Sequence, residues 1–277
     1  MNTSFPPGAK THALRAVAAA ALTLGCLSAW ALPTFTLDPT AAFPALSGGT
    51  VTADNIIVSD YAHVVSDLVT HTFTETGLLS VQGFQLSGAA VSSPGLNSTY
   101  GLYIGFTGTG TQQIIGNPLT DFTAGSFTSL NYTLYGYTGP SATFSFDAAH
   151  NPTTTAAGAV ALATGSLKQG KVSTSPALGA DGSTPSFVPS ANATVTFNPL
   201  PAQAAFFQAP AGFYDLGFAA FTNTASQVEV LSASEFLVRQ GGGAFNFAAT
   251  PVPEPETYAL MLAGLAAVGF VVNRRKS

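Results

Sequence analysis

An all-β body, built as an antiparallel sandwich or jelly roll, is the fold class that the sequence predicts. Three observations carry it. Short runs alternate apolar with hydroxyl-bearing residues at period two, as strands with one buried face do. Clusters of Gly, Pro, Asn and Asp interrupt these runs as turn signals. Charged residues make up 8% of a chain that is 46% hydrophobic, against roughly 25% charged in an ordinary soluble domain, so Ser, Thr and Gly must carry most of the hydration. The 277 residues include 21 Phe and 8 Tyr, enough aromatic bulk to build a core, which excludes a disordered solvating chain. The 28 Gly and 18 Pro follow no Gly-X-Y period, which excludes collagen.

The first element is an export signal over residues 1–31. Lys10 and Arg15 precede an uncharged run from Ala16 to Leu27, and Ser28-Ala29-Trp30-Ala31 places small residues at Ala29 and Ala31, where a signal peptidase must fit them. Cleavage after Ala31 would leave Leu32-Pro33 at the new terminus, and a proline so close to the scissile bond makes a neighbouring small residue the alternative. The run is nearer the 7–15 residues of a signal core than the roughly 20 of a spanning helix. Cys26 raises a lipoprotein alternative, but Thr23-Leu24-Gly25 lacks the residue pattern of a lipid-attachment site. Cys26 is also the chain's one cysteine, so the exported body would have no disulfide.

The body spans residues 32–250. Thr34–Leu37, Ala142–Phe146 and Ala193–Phe197 read as strands, followed by Val228–Leu231, Phe236–Arg239 and Ala244–Phe247. Ser47-Gly48-Gly49, Ser93-Pro94-Gly95, Gly139-Pro140, Asp181-Gly182 and Gly241-Gly242-Gly243 separate them. The Ala-rich stretch Thr155–Gly165 is expected as one short helix and Lys171–Pro189 as a Ser/Pro/Gly loop. Between Leu32 and Pro253 three bases face eleven acids, a net charge of −8. With so few, scattered bases the body has no phosphate-tracking surface, and nucleic acid is excluded as a partner.

The last element, residues 251–277, joins three unlike parts. Pro251-Val252-Pro253-Glu254-Pro255-Glu256 is held extended by its prolines. Tyr258–Val272 is apolar or Gly throughout, a short transmembrane helix at about 1.5 Å per residue. Arg274-Arg275-Lys276 closes the chain with positive charge, which the positive-inside rule assigns to the cytoplasm. This order of Pro253-Glu254-Pro255, apolar helix and basic end, with Arg274 and Arg275 in it, resembles the PEP-CTERM sorting signal. The resemblance implies recognition by an exosortase-type membrane enzyme, a transient inner-membrane anchor, and then release to the cell surface or extracellular matrix.

Within the body, Thr52-Ala53-Asp54-Asn55-Ile56, Phe73-Thr74-Glu75-Thr76-Gly77 and Tyr100-Gly101-Leu102-Tyr103 with Phe106-Thr107-Gly108 resemble the flocculation-associated PEP-CTERM proteins. Ala211–Asp215 and Gly241–Phe247 are similar to the same family. What this implies is a non-enzymatic part in flocculation with exopolysaccharide as partner, and it brings no catalytic residues and no cofactor.

Residues with chemistry to offer are few. Gly165–Val172 matches a P-loop until Val172 replaces the required Ser or Thr, and no Gly-x-Ser-x-Gly elbow occurs. His63 and His71, eight apart, would lie about 27 Å apart on one strand, too far to share a metal, and with His150 they are expected as surface or turn residues. Asp54, Asp60 and Asp67, beside Asn55, offer oxygen ligands for calcium, although their spacing is not that of an EF-hand and solvated turns are the simpler reading. Tyr132, Tyr135 and Tyr137 crowd one segment. Tyr135 and Tyr137 share a strand face and, with Tyr100 and Tyr103, would offer sugar rings a stacking surface, against a plain role in the core. A carbohydrate-binding module is therefore the alternative function, a secreted glycan hydrolase the lesser one, and self-association through strand edges a further expectation.

Overall fold

The computed structural model describes residues 32–114, 122–179, 181–183 and 185–248. The expected signal peptide and the C-terminal helix lie outside the described residues. Among the described residues no helix is long and apolar enough to cross a membrane.

Along the chain run β1 (Phe35–Leu37), α1 (Pro39–Ala42), β2 (Val51–Ala53), β3 (Asn55–Asp67), β4 (Thr72–Leu86), β5 (Ala89–Val91), β6 (Tyr100–Ile114) and β7 (Thr123–Thr138). Then come β8 (Phe144–Phe146), β9 (Pro152–Thr154), β10 (Val160–Leu178), β11 (Pro185–Thr196), β12 (Asn198–Pro199), β13 (Phe207–Ala209), β14 (Leu216–Thr222), β15 (Val228–Ser232) and β16 (Glu235–Ala248). The period-two pattern is visible in β3, where Ile56, Val58, Asp60, Ala62 and Val64 are buried and the residues between them keep contact with solvent. Each long strand thus has one face to hide.

The sheet hides it by closing on itself. Strands β3, β4, β6, β7, β10, β11, β14 and β16 pair in that order, each antiparallel to the next, and β16 pairs back to β3 with Phe245 opposite Ile56 and Glu235 opposite Val65. The result is an eight-stranded up-and-down barrel. Period two reports that one face is buried but not what buries it, so the same pattern that suggested a sandwich or jelly roll is satisfied by a closed barrel, which leaves its wall no free edge. Outward positions such as Thr107, Thr109 and Thr111 on β6 are exposed hydroxyl residues, while inward Leu102 and Ile104 are buried. A membrane-spanning barrel shows the reverse pattern.

Two sequence expectations are corrected here. Thr155–Gly165 is not a helix: a loop leads into β10 at Val160, where Ala161 pairs with Tyr135 and Ala163 with Pro199. Backbone partners on both sides override the helix propensity of alanine. Most of Lys171–Pro189 is strand rather than loop. Lys171 pairs with Asn192 and Leu178 with Pro185 as β10 and β11 continue into a two-stranded ribbon. Pairing of β10 with β7 stops at Thr174, so Pro176 falls where the strand is free on that side and its missing N–H breaks no ladder bond. The P-loop-like Gly165–Val172 is therefore strand, with no turn to cradle a phosphate.

One barrel end is capped. β1 pairs with β2 and β13, and Asp38 caps α1 by accepting from the Thr40 N–H at 2.9 Å while also accepting from Gln208 at 2.9 Å. Beneath the cap lies an aromatic cluster in which Phe197 meets Phe247 edge to face at 4.6 Å and Phe35 meets Phe247 at 4.9 Å. Tyr100 is buried in the same core, and that burial pushes its phenol up to about 12.

Candidate functional site

On the outer wall, β4, β6 and β7 form the floor of a groove of about 620 Å³. Its aromatic surface is the half-buried Tyr135 ring, backed by the buried Tyr103, on which it stacks with ring centroids 5.0 Å apart and 18° between planes. Both rings point outward because positions 103 and 135 pair directly across β6 and β7. Beside them Gly105 has no side chain, and a Cβ there would touch Leu78 and Tyr135 at 3.5 and 3.6 Å. The floor is therefore open next to the stack. Thr76, Thr107, Asn131 and Thr133 rise from the strands, and Asn151 and Thr154 line the groove from the β8–β9 hairpin. An aromatic plate bordered by hydroxyls and amides, with no charge among the groove's lining residues, suits a neutral sugar chain better than an ion.

The tyrosine expectation needs division. Tyr135 stays at the groove. Tyr132 points into the barrel: its hydroxyl donates to the Thr196 carbonyl at 2.8 Å, and burial raises its phenol pKa. Gly165 makes that possible, since a Cβ there would come within 2.3 Å of the Tyr132 ring. Tyr137 faces outward but is buried, its hydroxyl accepting from the Ala142 N–H at 2.9 Å. Tyr100, buried under the cap, also leaves the expected stacking surface.

The three aspartates do not converge. Asp54 precedes β3 and accepts from the Ser87 N–H at 2.7 Å. Asp60 points inward from the middle of β3, and Asp67 ends it, accepting from the N–H groups of Val69 and Thr70 at 2.8 and 3.0 Å. At about 3.3 Å per strand residue, Asp60 stands roughly 20 Å from either neighbour, so the three share no calcium ion.

Asp60 instead lines a cavity of about 110 Å³ inside the barrel, with Glu75, Asn223 and a wall that includes Phe73, Phe127, Phe221 and Phe245. Burial pushes the Glu75 carboxyl up to about 7. Burial first, and then the Glu75 charge, drive Asp60 well above its ordinary range. Glu75 is half-buried and lines this cavity wall.

A third constellation was not legible beforehand. His63 Nε2 on β3 donates to Glu235 Oε1 over 2.8 Å, and His150 Nδ1 reaches the same oxygen at 3.2 Å. The imidazoles meet edge to face at 5.8 Å. His63 is thus neither a turn residue nor a fully exposed one. His71 does sit in the turn after β3, with φ of 54°. The ladder brings Glu235 beside His63, but nothing in the spacing of residues 63, 150 and 235 signals the meeting.

Residues 251–276 match the family model of the PEP-CTERM protein-sorting motif. The chain carries a PEP-CTERM sorting motif. The matched segment contains Pro253, Glu254, Pro255, Arg274 and Arg275, which, like the expected peptidase positions Ala29 and Ala31, lie outside the described residues. The motif implies export, processing by an exosortase-type membrane enzyme, a transient membrane anchor and display at the cell surface. No match to the chain was found among curated proteins or solved structures.

Proposed function

We propose that this PEP-CTERM protein is a non-enzymatic component of the cell surface or extracellular matrix that binds exopolysaccharide and so promotes flocculation. The observation that carries the reading is the outer-face groove, with its Tyr103–Tyr135 stack and its uncharged hydroxyl and amide border. A sugar chain offers weakly polar ring faces to Tyr135 and hydroxyls to the border. A groove open on the surface also admits a polymer where a closed pocket would not. Because the barrel wall itself is closed, bridging by glycan accounts for aggregation more simply than strand exchange between copies, for which the ribbon beyond Thr174 offers a short free side. The carbohydrate-binding alternative and the flocculation reading thus merge into one activity at one site.

The test is retention of the purified full chain on polysaccharide isolated from the producing culture. Tyr135→Ala is expected to weaken binding roughly threefold to tenfold, the worth of an aromatic contact, while circular dichroism and melting stay close to wild type. Cells carrying Tyr135→Ala are expected to form weaker flocs at unchanged polysaccharide yield. Equal retention by both proteins would remove the groove from the function, and hydrolysis of the polysaccharide by the wild type would replace binding with catalysis.

A further inference from the structure

We propose that His63, His150 and Glu235 form a binding site for a divalent cation of the zinc type, which staples the β8–β9 hairpin to the barrel wall. The ligand atoms of these three residues all lie within 4.8 Å of one another. They come from three places in the chain: His63 from β3, Glu235 from the start of β16, and His150 from the turn between β8 and β9. Two imidazole nitrogens and a carboxylate oxygen are the donor set that zinc accepts, with bonds of about 2.0–2.2 Å. Such bonds in a tetrahedron put neighbouring ligand atoms about 3.3 Å apart. His150 Nδ1 already lies 3.2 Å from Glu235 Oε1, and His63 Nε2 lies 2.8 Å from it. To seat the ion the His63–Glu235 contact opens by about half an ångström and the two imidazole nitrogens, which lie within 4.8 Å of each other, settle to the same tetrahedral spacing; the ion takes the place of the protons now shared on that oxygen.

The surroundings hold the ligands in place. Asp147 accepts from the N–H groups of Ala149 and Asn151, both at 2.8 Å, which folds the turn that presents His150 at φ 63°. Phe144 stacks on Tyr61 at 5.6 Å and fixes the hairpin against β3. Arg239, the nearest base on β16, is ion-paired with Glu229 and lies over the Phe146 ring, so its charge is already answered. The side chains of His63, Glu235 and His150 are 12%, 31% and 40% exposed, giving a seated inner ligand and an open approach on the His150 side. A water in the fourth position completes the shell.

The purified full chain, stripped with a chelator, is titrated with Zn²⁺ by calorimetry and with Co²⁺ by visible absorption. One ion per chain is expected, with tetrahedral cobalt bands and slower amide exchange confined to the hairpin from Phe144 to Thr154. His150→Asn keeps a residue that tolerates the left-handed backbone and is expected to lower affinity about tenfold or more. Glu235→Gln should do the same from the barrel side. The proposal is overturned if the folded wild type takes up no stoichiometric ion. It is equally overturned if His150→Asn binds as the wild type does, or if protection appears elsewhere than in the hairpin.

Discussion

At the scale of single residues, the barrel's most consequential side chain is Glu75, an acid in an aromatic cavity. Burial raises its carboxyl from the ordinary 4.5 to about 7, so between these values the folded chain holds a proton that the unfolded chain releases. Stability from this group is fully present below about pH 4.5 and is lost as the pH rises through about 7. Asp60 acts in the same sense, and among the described residues lining the cavity no Lys, Arg or His reverses it. Denaturant titrations across this range are expected to show stability falling with rising pH. Glu75→Gln should flatten the profile and gain on the order of 3 kcal/mol at pH 8. A variant profile parallel to that of the wild type would refute the assignment. Residues of this kind were the least legible in the sequence. Asp60 looked like a calcium ligand because strand periodicity says which residues share a face but not that an acid has been turned inward. His63, His150 and Glu235 meet only through barrel closure and a folded-over hairpin. The outward placement of Tyr135 was legible from strand periodicity, whereas the inward turn of Tyr132 depends on the gap at Gly165.

Among the elements, the capped end does the most to define the core. Phe197 immediately follows β11 and touches Phe207, Phe213, Phe245 and Phe247, joining the wall to the segment around β13. Truncating so well enclosed a ring leaves a cavity that its neighbours cannot all fill, and Phe197→Ala is expected to cost about 3–5 kcal/mol. Chemical denaturation followed by fluorescence would measure it, and a loss below about 1 kcal/mol would show that the cluster repacks. Ala193–Phe197 and Ala244–Phe247 were readable as strands because strong alternation ends in bulky rings. Lys171–Pro189 was misread for the opposite reason: Ser, Pro and Gly signal turns when taken alone. In the ribbon the facing strand supplies the backbone partners, and several hydroxyls pair with one another, as Ser173 does with Ser190 and Thr174 with Thr123 on β7.

For the whole molecule, closure depends on β16, which links β14 to β3 and completes the ring. A chain ending at Ser234 would expose two unpaired edges and the apolar interior. It is expected to aggregate and to lose the cooperative melting transition, as ultracentrifugation and calorimetry would reveal; a soluble, cooperatively melting truncation would mean that the wall can close without it. The all-β class was written in the alternating runs, but closure was not, since it depends on strand length, stagger and twist together. The position of this closing strand also sets an order of events. β16 ends at Ala248 and the sorting motif begins at residue 251, a gap that three residues can stretch to no more than about 10 Å. The last piece needed for folding and the piece that addresses the protein therefore arrive together, and a cut near Pro253 leaves the ring whole. A chain interrupted before its final strand has neither a finished barrel nor the sorting motif.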